Sequence, residues 1–97
     1  MLIKAMKVTA RFFGDLIPLL GREMILDLEE GASVNALVRL LSSRIGSKRP
    51  GYVGSYRVGG GELVILVNGR NIDTLGRLET RLKDGDVVTL LPPFSGG

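Results

Sequence analysis

The chain contains no cysteine and no histidine. Their absence removes disulfides, thiolate and imidazole metal ligands, cysteine nucleophiles and every histidine-dependent triad. Long apolar runs are missing as well. The longest wholly aliphatic stretch, residues 63–67, is five residues, far short of the roughly 18 that a membrane-spanning helix needs. The opening residues carry Lys4 and Lys7 and no apolar segment of signal-peptide length, so a cytoplasmic location away from membranes is expected. Carboxylates are present but not in metal-binding number. Asp84 and Asp86 share a glycine-containing turn without the further oxygen ligands of a calcium loop, so they read as turn formers and no metal site is expected. Residues 58–62, VGGGE, lack the lysine and hydroxyl of a phosphate loop and lead into a strand, where such a loop opens a helix.

What is present fits one domain with one core, since 97 residues are too few for two. The 14 glycines are about twice the usual share and point to turns. Thirteen basic residues are offset by 10 acidic ones along the chain, so the net charge of +3 makes no nucleic-acid footprint. The densest basic segment, residues 47–57, interleaves Lys48, Arg49 and Arg57 with Tyr52 and Tyr56. A stacking platform would need those aromatics on a rigid surface, and the segment reads instead as a basic loop.

Periodicity supplies the elements. Val8, Ala10 and Phe12 alternate with Thr9, Arg11 and Phe13, which predicts a half-buried strand. A second strand follows a longish hairpin loop, with Met24, Leu26 and Leu28 inward and Glu23, Ile25, Asp27 and Glu29 outward. Val34, Leu37, Val38, Leu41 and Ile45 then form one stripe of a helix, capped by Ser33 and Gly46, with Asn35, Arg39, Ser42 and Ser43 in solvent. Residues 47–61 show no period and are expected to form a mobile loop. The aliphatic run at 63–67 predicts a central strand buried on both faces, ending in an Asn68-Gly69 turn and a short strand at 70–72. The last strand, residues 87–91, turns Val88 and Leu90 one way and Val87, Thr89 and Leu91 the other. With the first and last strands paired in the middle, this ββαββ order gives an α+β, ubiquitin-like β-grasp: a mixed sheet with one main helix on one face. The expected division is a β-grasp domain at 1–91 and a flexible C-terminal tail at 92–97.

The tail, PPFSGG, carries the candidate chemistry. Pro92 and Pro93 cannot extend a ladder and favour a stiff, extended exit. Phe94 and Ser95 lead to Gly96 and Gly97, which have no Cβ to obstruct a narrow channel, so the Gly97 carboxylate can be placed at a remote active site. Phe13 and Leu91 fall on the outward sheet face near the tail's root and predict a docking patch.

The segments KVTARFFG, VNGRNID and above all D-G-D-x-V-x-L-x-P-P-x-x-G-G at residues 84–97 resemble the MoaD/ThiS family of sulfur carriers. The resemblance covers essentially the whole chain and is nearest to molybdopterin synthase small subunits and archaeal small modifier proteins. It implies a protein that is not a catalyst alone and holds no stable cofactor. An activating enzyme would use Mg-ATP to adenylate Gly97, and a sulfurtransferase would convert the carboxylate to a thiocarboxylate. The tail would then enter the large subunit of molybdopterin synthase and give up sulfur for molybdenum or tungsten cofactor synthesis. Docking would run through Phe13 and Leu91, with Pro92, Pro93, Phe94 and Ser95 reaching into the partner. Asn71 stands where the related small subunit has an apolar residue. Two alternative ends are joining of Gly97 to lysines of target proteins, and sulfur supply to tRNA thiolation or thiamine synthesis.

Overall fold

The structure is a computed structural model that describes residues 4–93. Five strands, β1 (Ala5–Phe12), β2 (Glu23–Glu29), β3 (Val64–Val67), β4 (Arg70–Asn71) and β5 (Val87–Leu91), form one sheet in the order β2-β1-β5-β3-β4. The first and last strands pair in parallel at its centre, and the other neighbours are antiparallel. This is the β-grasp arrangement expected from the strand order. A one-turn helix, α1 (Ile17–Leu20), lies in the β1–β2 connection, and the main helix, α2 (Val34–Ile45), covers the inner sheet face.

The alternation of apolar residues explains the packing. Met6, Val8, Ala10 and Phe12 of β1 meet Leu26 and Leu28 of β2, Val88 and Leu90 of β5, and the whole predicted stripe of α2. Ser33 caps α2, its hydroxyl accepting from the Ala36 amide at 3.4 Å. Gly46 follows the helix at φ +58°. Asn68 and Gly69, at φ +50° and +84°, supply the two positive angles that a two-residue hairpin turn requires. The Asp84–Asp86 turn is a structural joint: Asp84 accepts from the Lys7 amide, and Asp86 from the Lys83 amide and the Asn68 side chain. Among the described residues no polar or charged side chain is buried, and none of the helices is long and apolar enough to cross a membrane.

Three expectations change. Strand β3 is not buried on both faces: Ile65 and Val67 point into the core, while Val64 is exposed and Leu66 half-buried on a face that carries no helix. Segment 47–61 contributes Val53, Tyr56 and Val58 to the core, so it is a packed cover as well as a connection. Asn35 and Ser42 are consequently only half solvated, and the Ser42 hydroxyl accepts from the Gly54 amide of that cover at 3.0 Å.

Candidate functional site: the outward sheet face and the root of the tail

Register builds the outward face row by row. Thr9 lies between Ile25 and Val87, and Arg11 is opposite both Glu23 and Thr89. Thr89 faces Leu66, which faces Asn71, and Leu91 faces Val64. Phe13 follows the Phe12–Leu90 pair and so lies beside Leu91 across the sheet. The face is therefore split by chemistry. On the β1–β2 side, exposed pairs Lys7–Asp27 (2.7 Å) and Arg11–Glu23 (3.4 Å) cross between strands. Pairs of this kind are worth only about 0.2–1 kcal/mol each. The hydrogen bond from Lys7 to Asp27, and the charge of Asp27, hold the Lys7 ammonium above its ordinary value. From Phe13 at the end of β1 across β5 to β3 the face is mainly apolar, with Phe13 at 47% exposure, Val64 at 39% and half-buried Leu66, Val87 and Leu91 around the half-buried Thr89.

Phe13 and Leu91 are thus brought together as expected, and half-buried Pro92 and exposed Pro93 continue directly from Leu91. Phe94, Ser95, Gly96 and Gly97 lie outside the described residues. Val64 is the patch member that the sequence reading missed; the signal was its place opposite Leu91, once Ile65 and Val67 are assigned inward. Asn71 shares the row of Leu66, but its side-chain oxygen accepts from the Asp73 amide at 2.9 Å and caps a 3-10 turn at Ile72–Thr74. Its polar atom is engaged in holding that turn.

The basic segment carries little that suits a stacking platform. Tyr56 is buried, leaving Tyr52 as the exposed aromatic of the pair. The Tyr56 hydroxyl donates to both carboxylate oxygens of Asp15, at 2.8 and 2.9 Å. Burial first, and then the Asp15 hydrogen bond, push the phenol up from 10.0 to about 12. The fold therefore holds the protonated phenol. Its contribution is complete below the unfolded value near 10.0 and is lost as pH rises through about 12. In denaturant melts across that window the wild type should lose stability that Tyr56→Phe does not lose; parallel declines would show that the phenol is not the group responsible.

No group of three or more Asp or Glu able to hold a metal ion occurs among the described residues. A cleft of about 710 Å³ between α2, segment 47–61 and the open edge of β3 is lined by Val38, Tyr56, Ile65, Ile72, Asp73 and Arg77, among others. The apolar patch and the proline exit are on the sheet face and the end of β5, and they form the candidate site.

The chain is similar to several known proteins. A protein of Archaeoglobus fulgidus named as a sulfur carrier is 36% identical over 80 residues, covering 73% of this chain and 84% of its own. The small archaeal modifier protein 1 of Methanosarcina acetivorans superposes with a TM-score of 0.70 at 29% identity, covering 97% of this chain and 99% of that one. A Pyrococcus furiosus protein named as molybdopterin converting factor subunit 1 gives 0.70 at 30% identity, covering 92% and 99%. A Helicobacter pylori structure, titled as a complex of subunits 1 and 2 of the molybdopterin-converting factor, gives 0.53 at 28% identity, covering 95% and 100%. These neighbours share the ubiquitin-like β-grasp, and in the last of them the fold is found in a protein-protein complex. The ThiS family profile matches residues 10–97, from the end of β1 through the last glycine, and the chain belongs to the ThiS family.

Proposed function

We propose that this protein carries sulfur on Gly97 as the small subunit of a molybdopterin synthase. The observation that carries the reading is the route of β5: its outward residue Leu91 sits in the apolar patch, and the chain continues through Pro92 and Pro93 toward the paired glycines. A carboxylate is a poor electrophile until one of its oxygens belongs to a good leaving group. In an activating enzyme the Gly97 carboxylate attacks the α-phosphorus of Mg-ATP and pyrophosphate departs. A sulfur nucleophile delivered by a sulfurtransferase then displaces AMP and leaves a thiocarboxylate. With no cysteine in the chain, the carrier has no thiol of its own to divert that sulfur. The tail next enters the large synthase subunit and transfers sulfur to the pterin precursor. Likeness to the molybdopterin converting factor subunits supports this acceptor.

The test is intact mass after incubation with the cognate activating enzyme, Mg-ATP and a sulfur donor. One oxygen exchanged for sulfur is the expected result, and an unchanged mass would reject the reading. Adding the large synthase subunit with precursor should return the original mass. Likeness to the small archaeal modifier protein favours a second use of the same activation, attachment to lysines. Tryptic digests would then contain lysines bearing DGDVVTLLPPFSGG, because Lys83 is the last basic residue before the tail.

A further inference from the structure

Segment 47–61 has no part in the docking patch, yet it meets the root of the tail. We propose that it closes a collar around Pro92 and Pro93 and so fixes the direction in which the chain leaves β5. The inference rests on the carrier reading only for its purpose; the collar itself is a matter of packing.

The two strands beside β5 both continue past it. On the β1 side the Phe12–Leu90 pair leads on to Phe13 and Gly14, and a Cβ built on Gly14 would lie 3.5 Å from Cγ of Pro92. On the β3 side the Val64–Leu91 pair leads back to Gly61, where a Cβ would lie 2.7 Å from Cγ of Pro93. That distance is too short for a real side chain, so glycine is what allows the approach. Neither proline has an N–H with which to extend the ladder, and their hold is therefore steric.

The two flanking chains are also tied to each other. Asp15, next to Gly14, accepts both hydrogen bonds of Tyr56, and Gly59 packs against the same carboxylate with no room for a Cβ. The middle of the segment is held by the Gly54 amide on Ser42, while Val53 and Val58 are buried in the core. A tie from the β1 side to the β3 side thus spans the slot from which the tail leaves. Gly14, Gly61, Asp15 and Tyr56 are positioning residues for Pro92 and Pro93, the root of the tail.

Two adjacent glycines make the test. Gly60 and Gly61 have positive φ of +84° and +90°, but nothing lies within 4 Å of a Cβ on Gly60. Gly60→Ala therefore carries backbone strain alone, and Gly61→Ala adds the collision with Pro93. Because the chain has no cysteine, Ser95→Cys gives a single site for a nitroxide label. Broadening of backbone amide signals by that label should be concentrated around residues 13–15 and 59–62, and Gly60→Ala should preserve the profile. Gly61→Ala should spread it across the surface. Identical profiles in the two variants, or a larger change in Gly60→Ala, would overturn the collar. This measurement uses no activating enzyme, so it can fail while the carrier reading stands. With the enzyme present, Gly61→Ala should lower kcat/KM for adenylation by roughly 10-fold relative to Gly60→Ala, as expected for a displaced reacting group. Equal values would also count against the collar's role.

Discussion

A chain lacking Gly97 is expected to unfold as the full-length protein does and to gain no sulfur at all. Among the described residues the core runs from Met6 to Leu90, and the deletion leaves every one of these side chains in place. Its effect on stability should stay within about 0.5 kcal/mol, as for surface changes generally. Its effect on activation should be complete. The new terminal carboxylate stops one residue short, about 3.3–3.6 Å of extended chain, whereas reacting groups must be placed within about 0.5 Å of productive geometry. Intact mass after incubation with activating enzyme, Mg-ATP and sulfur donor measures the loss, and a thermal melt confirms the fold. Sulfur uptake by the truncated chain would mean that the reactive group lies elsewhere.

Phe12 and Phe13 are adjacent and should fail in opposite ways. Phe12 is 2% exposed and packed in the core. Phe12→Ala should cost about 3–5 kcal/mol through lost burial and the cavity left behind, a large share of the roughly 5–15 kcal/mol that a small domain possesses. Phe13 is 47% exposed beside Leu91, with Val64 on the far side of that leucine. Phe13→Ala should change stability by no more than about 0.5 kcal/mol. It should weaken binding to the activating enzyme or the large synthase subunit by about 2 kcal/mol, near 30-fold, if Phe13 is an interface anchor. Denaturant melts and titration calorimetry separate the two effects. A Phe13→Ala protein that melts early and binds normally would remove Phe13 from the docking surface.

The contrast between those residues also shows what a sequence can reveal. Strands β1 and β2 and helix α2 were legible because one face of each is buried and the other is polar enough to leave a period, whereas β5 was marked by the turn before it and the prolines after it. The period fails where both faces are apolar. In β3 an unbroken aliphatic run reads as burial on both sides, but Val64 and Leu66 belong to the uncovered face, whose apolar character matches that of a core. Segment 47–61 escaped for another reason. Tyr52, Ser55 and Arg57 adopt positive φ, so its backbone reverses repeatedly, and Val53, Tyr56 and Val58 reach the core without helical or strand spacing. The tail declared itself through composition alone, as prolines followed by glycines. The neighbours of its root did not, because the approach of Gly14 to Pro92 and of Gly61 to Pro93 brings together segments remote in sequence.

The parallel pairing of β1 with β5 has a consequence for how the molecule comes into being. Lys7 hydrogen-bonds to Asp84 across 77 residues of chain, and the sheet's middle position stays empty until β5 arrives. Contacts of such long range are formed late and slowly, after the entropy of closing the intervening chain has been met. A nascent chain emerging from the ribosome cannot complete its sheet until nearly all of it has been made. The strand that fills the gap is the one that ends at Pro92 and Pro93, so the apolar patch and the proline exit are assembled in one event. Under the proposed function, an unfinished chain would offer a partner no completed docking face, and activation would be confined to molecules that have already folded.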